Sequence, residues 1–132
     1  MIVIRHMRHG FPIVGCPASV QSTPSSKRRY RTLVADTARN TVSEPVVGSK
    51  RITIEIDWFT LGFESKPDVD NIIKPIQDAL KGIVFVDDSQ VEGVTARKHD
   101  LLTITSFVRE PLNIIDPIIQ GCREYVYVRI YQ

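Results

Sequence analysis

Arg51-Ile52-Thr53-Ile54-Glu55-Ile56-Asp57-Trp58-Phe59-Thr60, then Asp68-Val69-Asp70-Asn71-Ile72-Ile73-Lys74-Pro75-Ile76-Gln77-Asp78-Ala79-Leu80-Lys81: between these two runs the hydrophobic period changes from that of a strand to that of a helix. In the first, Ile52, Ile54, Ile56 and Trp58 fall on one face and Thr53, Glu55 and Asp57 on the other, which predicts a half-buried strand. In the second, Ile72, Ile73, Ile76, Ala79 and Leu80 form one helical stripe from Asn71 to Lys81, and Gly82 fits the position just past a helix end. Asp70 and Asn71 are good N-cap types. Pro75 lies just beyond the positions where a missing N–H costs nothing, so the first turn is expected to be irregular.

Working outward from this strand–loop–helix unit, Ile83-Val84-Phe85-Val86 reads as a short buried strand ending at Asp87-Asp88. Residues 90–98 and 101–108 read as a hairpin turning at His99-Asp100, Pro111 to Gly121 as a short helix, and Glu124 to Tyr131 as a last alternating strand. Upstream, Ile2-Val3-Ile4 reads as a first strand and residues 10–26, rich in Gly, Pro and Ser, as a loop. Ser26 to Val42 reads as a helix with Tyr30, Leu33, Val34 and Ala38 on its apolar side. The expected fold is α+β: a single domain over residues 1–132, a mixed β-sheet with helices packed on it.

At 132 residues the chain can bury roughly two-thirds of the surface exposed by its unfolded state. No apolar run approaches the roughly 20 residues of a membrane span, and the first residues lack a signal-peptide layout. Cys16 and Cys122 lie far apart and are expected to be reduced thiols, in a protein expected in the cytoplasm. The net charge of +2 hides a division. Residues 1–51 hold nine Lys/Arg against two acids, and residues 52–132 hold eight against thirteen. That asymmetry suits a protein holding a polyanion with one part and a metal with the other, although the halves could also intermingle in space.

The acids concentrate in Asp68, Asp70, Asp78, Asp87 and Asp88. Two carboxylates at 4 Å repel by roughly 4 kcal/mol at an effective dielectric near 20, so such a set calls for a neutralising cation. Asp68 and Asp70 share a face in extended backbone, and Asn71, Lys74 and Asp78 share a helix face opposite the isoleucines. A strand at 83–86 returning beside this helix would bring Asp87 or Asp88 to the same place. Hard oxygen ligands of this kind suit Mg²⁺ or Mn²⁺. Lys74 could add positive charge at a scissile phosphate, or simply pair with Asp70 or Asp78 at i, i+4. The plain alternative for the acids is helix capping by Asp70 plus solvated loop carboxylates. An EF-hand starting at Asp68 fails at Ile73 and Ala79, and His6, His9 and His99 form no zinc-hydrolase pair. His99 reads as a surface residue. Lys27, Arg28, Arg29 and Arg31 crowd the first turns of a helix, where the dipole disfavours them, and this marks either an anion-binding surface or a solvated helix end.

The pattern Asp68-x-Asp70-Asn71-x-x-Lys74-x-x-x-Asp78-Ala79-Leu80, then Gly82 and Asp87-Asp88-Ser89-Gln90-Val91, resembles the RusA family of Holliday-junction resolvases, with a looser likeness at Pro17-Ala18-Ser19-Val20-Gln21. These are small, often prophage-borne, Mg²⁺-dependent endonucleases that act as homodimers on four-way DNA junctions. The resemblance implies that Asp68, Asp70 and Asp88 are catalytic, metal-holding acids and Lys74 the essential basic residue. Asn71, Asp78 and Asp87 would support them. DNA contact would fall to Lys27, Arg28, Arg29, Arg31, Arg97 and Lys98, mostly through phosphates. The implied reaction is in-line attack by metal-activated water, leaving 5′-phosphate and 3′-hydroxyl nicks. A branched-DNA-binding protein that does not cut, and a metal-dependent nuclease acting on flaps or RNA, are the rival readings.

Overall fold

The computed structural model describes residues 5–62, 66–102, 121 and 123–132. The described strands are β1 (Met7–Val14), β2 (Ile52–Thr60), β3 (Val91–Asp100) and β4 (Tyr125–Tyr131), and the α-helices are α1 (Pro24–Thr41) and α2 (Ile73–Leu80). The sheet order is β1-β4-β2-β3. β4 runs antiparallel to both β1 and β2, whereas β2 and β3 are parallel, so the sheet is mixed and the fold α+β as expected. Parallel neighbours need a crossover, and α2 lies on the one joining β2 to β3. The acidic segment therefore follows the C-terminal end of β2.

One face of the sheet carries the main core. Ile52, Ile54, Ile56 and Trp58 of β2 and Val126, Val128 and Ile130 of β4 join Tyr30, Val34 and Ala38 of α1 and Ile76, Ala79 and Leu80 of α2. The predicted α1 stripe holds except at Leu33, which is exposed. Thr23 caps α1, its Oγ1 accepting from the Ser26 N–H at 3.2 Å, and Pro24 fits the first helical turn, where its missing N–H costs nothing. The irregular entry to α2 also appears: Val69–Ile72 form a 3₁₀ turn before the α-helix. Gly82 follows with φ +85°, the left-handed backbone that glycine adopts without strain.

Several expectations change. Residues 10–14 belong to β1 and not to a loop; among the described strands β1 pairs with β4 alone, an edge position that tolerates Pro12. A Cβ on Gly10 would stand 3.0 Å from the Tyr127 hydroxyl, so a side chain there would press on the buried tyrosine. Residues 83–86 make no strand; Phe85 forms only isolated bridges with Val46 and Lys81, while Val84 and Phe85 are buried. β2 is buried on both faces, Asp57 being 1% exposed, and so is most of β4. No turn forms at His99-Asp100: both residues continue β3, paired with Phe59 and Thr60 of β2. The first strand expected at Ile2–Ile4, residues 103–108 of the second hairpin arm and the helix at 111–121 lie outside the described residues, Gly121 apart.

Candidate active site and nucleic-acid interface

The loop from β2 arrives anchored. Glu124, at the start of β4, accepts from Trp58 Nε1 at 3.0 Å and from Lys66 Nζ at 3.2 Å. Burial would raise the Glu124 carboxyl, but its hydrogen bonds, those to Trp58 and Lys66 among them, hold it below the ordinary glutamate value. Pro67 leads to Asp68 in extended backbone, and the 3₁₀ turn closes with the Asn71 N–H donating to the Asp68 carbonyl at 3.0 Å. Ile72, fully buried, pins this turn to the core.

Asp68 and Asp70 are exposed. Neither the 3₁₀ turn nor α2 has a side-chain cap, so the capping role expected of Asp70 and Asn71 is not what these groups do. Asn71 instead offers its carbonyl to the Val20 N–H at 2.9 Å. The Pro17–Gln21 segment is thereby docked on the acidic turn, with Ser19 itself held by Ser22 at 2.9 Å. Lys74, one helical turn on from Asp70, pairs with Asp78 at 3.3 Å, the i, i+4 partnership its spacing allowed.

Asp87 and Asp88 divide their work. Asp87 Oδ2 accepts from the Ser89 N–H at 3.1 Å and Ser89 Oγ at 2.7 Å, capping the short 3₁₀ turn Asp88–Gln90. Those bonds hold its carboxyl below the usual aspartate value. Gln90 is buried; its Oε1 accepts from the Val86 and Asp87 N–H groups, and its Nε2 donates to the Val46, Val47 and Lys50 carbonyls. This clamp fixes where Asp88 projects. Asp88 is exposed and reaches Lys81 Nζ at 3.6 Å, and Asp87 reaches the same ammonium at 3.5 Å.

The acidic 3₁₀ turn lies against β3, the strand that Asp88 leads into. Among the described residues no three Asp, Glu, His or Cys side chains gather closely enough to hold a metal ion. The donor chemistry nonetheless suits a hard divalent cation: Asp68 and Asp70 offer exposed carboxylates not used for capping, and among the described residues Asp88 is engaged by one surface lysine.

The basic residues separate into groups. Lys27 and Arg31 of α1 line a cleft of about 280 Å³ with Val20, Lys74, Pro75 and Asp78. Arg29 lines a different groove with Gly15, Cys16, Tyr30 and Leu33, and bonds Ser26 Oγ at 3.3 Å. Arg28 is exposed. Arg97 is held by both Asp57 oxygens, Nε at 2.9 Å and NH2 at 3.3 Å, and Lys98 stands 4.9 Å from the centre of the Trp58 ring. Arg97 and Lys98, consecutive in a strand, point to opposite faces. The six cations expected on DNA thus do not form one patch.

His99 is not a simple surface residue. Its Nε2 lies 2.7 Å from Asp57 Oδ1 and its ring stacks on Phe59 at 4.9 Å. Arg129 of β4 completes the cluster at 2.9 Å from Asp57 Oδ2 and 3.2 Å from Glu55. Burial alone would raise the Asp57 carboxyl, but hydrogen bonds from His99 and Arg97 and their charges carry it down to about 2. Strand periodicity is the one signal that could have found this cluster, since Asp57, Arg97, His99 and Arg129 all lie on the sheet face opposite the isoleucines.

Comparison with known proteins bears on the same segment. A family model described as Endodeoxyribonuclease RusA matches residues 15–105, more than half of the chain, from the end of β1 through β3. No curated protein matches it.

Proposed function

The chain belongs to the RusA family of endodeoxyribonucleases, and from that membership we propose that it resolves four-way DNA junctions by paired symmetric nicks, in DNA recombination and repair. The observation that carries this reading is the exposed Asp68–Asp70 pair, used by no helix cap, one turn from Lys74 and beside a cationic cleft. Asp68, Asp70 and Asp88 would hold a divalent ion, Mg²⁺ or in its place Mn²⁺. Bound there, the ion would polarise the phosphoryl oxygen and lower the pKa of water.

The chain's own groups do the rest. Lys74 supplies positive charge where negative charge builds on the phosphate. Asp78 orients Lys74, Asn71 ties the acidic turn to the Val20 segment, and the Asp87 cap with Gln90 sets the direction of Asp88. A homodimer suits the substrate, because a two-fold enzyme matches a two-fold junction and places two cuts symmetrically. A cytoplasmic site of action accords with this substrate, and no described helix is long and apolar enough to cross a membrane.

The second reading, a protein that grips branched DNA without cutting, draws on the Asp88–Lys81 pairing, which engages the third carboxylate elsewhere. Labelled four-way junction, flap, RNA and linear duplex, each with Mg²⁺, Mn²⁺ or EDTA, separate the cases. Paired metal-dependent nicks confined to the junction are the expected result. Equal binding with and without metal and no cutting would favour the second reading, and cutting of flaps or RNA would move the substrate.

A further inference from the structure

Four cations crowd the start of α1, but only two of them face the acidic motif. Lys27 and Arg31, one turn apart, look across a cleft of about 280 Å³ to Lys74 on α2. Like charges at i, i+4 repel on a helix surface. A third cation opposite adds to that repulsion, and α1 has no acid in its first turn. Among the described residues Asp78 is the one carboxylate in the lining, and it is paired with Lys74 at 3.3 Å. Lys27 and Arg31 are thus left facing a concave surface that is electropositive and walled by Val20 and Pro75. The cleft also adjoins the acidic turn: Val20 in its lining donates its N–H to Asn71, and Lys74 sits four residues beyond Asp70.

We propose that this cleft seats the sugar–phosphate backbone of one DNA strand, with Lys27, Arg31 and Lys74 on its phosphates and Asp78 as the counter-ion that holds Lys74 until DNA arrives. The proposal rests on the nuclease reading above and deepens it. Non-bridging phosphate oxygens are the matching chemistry: Arg31 offers a planar fork and the two lysines compact charges. Because Lys74 lines the cleft and follows the acidic turn, a strand seated here is held beside that turn, so binding here bears on which phosphodiester meets the acids. Lys74 exchanges a carboxylate for a phosphate on binding, which needs no change of fold. Arg29, facing the other groove beside Tyr30, takes no part.

The test is binding of a labelled four-way junction in EDTA, followed by anisotropy between about 50 and 200 mM salt, where counterion release controls affinity. Lys27→Ala/Arg31→Ala should weaken binding at least about tenfold and flatten the log–log salt slope by about 1.4–1.8, two phosphates' worth. Arg29→Ala should leave the slope unchanged. Asp78→Asn should tighten binding, since it frees Lys74 and removes the one acid of the lining. Melting curves confirm that each variant folds. A double variant with the wild-type slope, or an Arg29→Ala variant that flattens it equally, overturns the cleft while leaving junction cutting by the wild type intact. Wild-type protein that binds no DNA at all overturns this proposal and the nuclease reading together.

Discussion

Asp57 and Asp70 are the same residue type in opposite situations. Asp57 is 1% exposed and both of its oxygens are engaged, by Arg97, His99 and Arg129 from two neighbouring strands. Asp70 stands exposed in a 3₁₀ turn that has no side-chain cap, beside Asp68 in the same condition. A carboxylate can leave water only when its charge is met, so the first cluster is a property of the fold. Nothing in the fold requires the second pair of charges to sit together. The difference separates a structural acid, whose partners belong to the protein, from a candidate functional one, for which no partner stands among the described residues.

The sharpest way to break the comparison is Asp57→Ala. It removes the nearer of the two carboxylates that buried Arg129 pairs with, along with the acceptor of Arg97 and His99, and should destabilise the protein by about 3–5 kcal/mol, read as a lower urea midpoint. A loss under about 1 kcal/mol would mean that the cluster carries no stability. Acid titration is gentler. The folded Asp57 carboxyl lies at about 2, below its unfolded value of 3.8, so its contribution is present above pH 4 and lost as pH falls toward 2. Denaturation curves should show on the order of 2 kcal/mol disappearing across that window, and the loss should be absent from the Asp57 variant. The smallest effect is expected from Lys81→Ala. Its pairs with Asp87 and Asp88 are exposed and salt-screened, so stability should change by less than about 1 kcal/mol. Cleavage should persist or rise as Asp88 is released, and its loss would place Lys81 within the site.

Much of this was legible in the chain wherever the signal was local. The stripes of α1 (Leu33 apart) and α2, the inward isoleucines of β2 and the irregular turn before Pro75 each lie within one element and appear in the fold, although the second face of β2 is covered too. β1 was hidden because Gly10 and Pro12 look like loop residues until β4, more than a hundred residues away, is known to pair with them. The burial of Asp57 was hidden for the same reason, its partners lying 40, 42 and 72 residues along the chain. In the site, spacing allowed Lys74 to pair with Asp70 or Asp78 and the fold takes Asp78, but the shared face drawn for Asp68 and Asp70 assumed extended backbone, whereas Asp70 lies in a 3₁₀ turn. The role of Gln90 did not follow from spacing, since it depends on carbonyls at Val46, Val47 and Lys50 that only the folded chain brings near. Nor did the division of the basic residues between two grooves, because helix phase says which cations share a side but not what faces them.

The central claim is that Asp70 serves the substrate and not the fold. The most direct measurement is a paired one on Asp70→Asn: junction cleavage in Mg²⁺ and unfolding in urea, on the same preparation. The prediction is a loss of cleavage of at least about a hundredfold, with stability within about 0.5 kcal/mol of wild type. A variant that still cuts, or that loses activity only in proportion to lost stability, would contradict it.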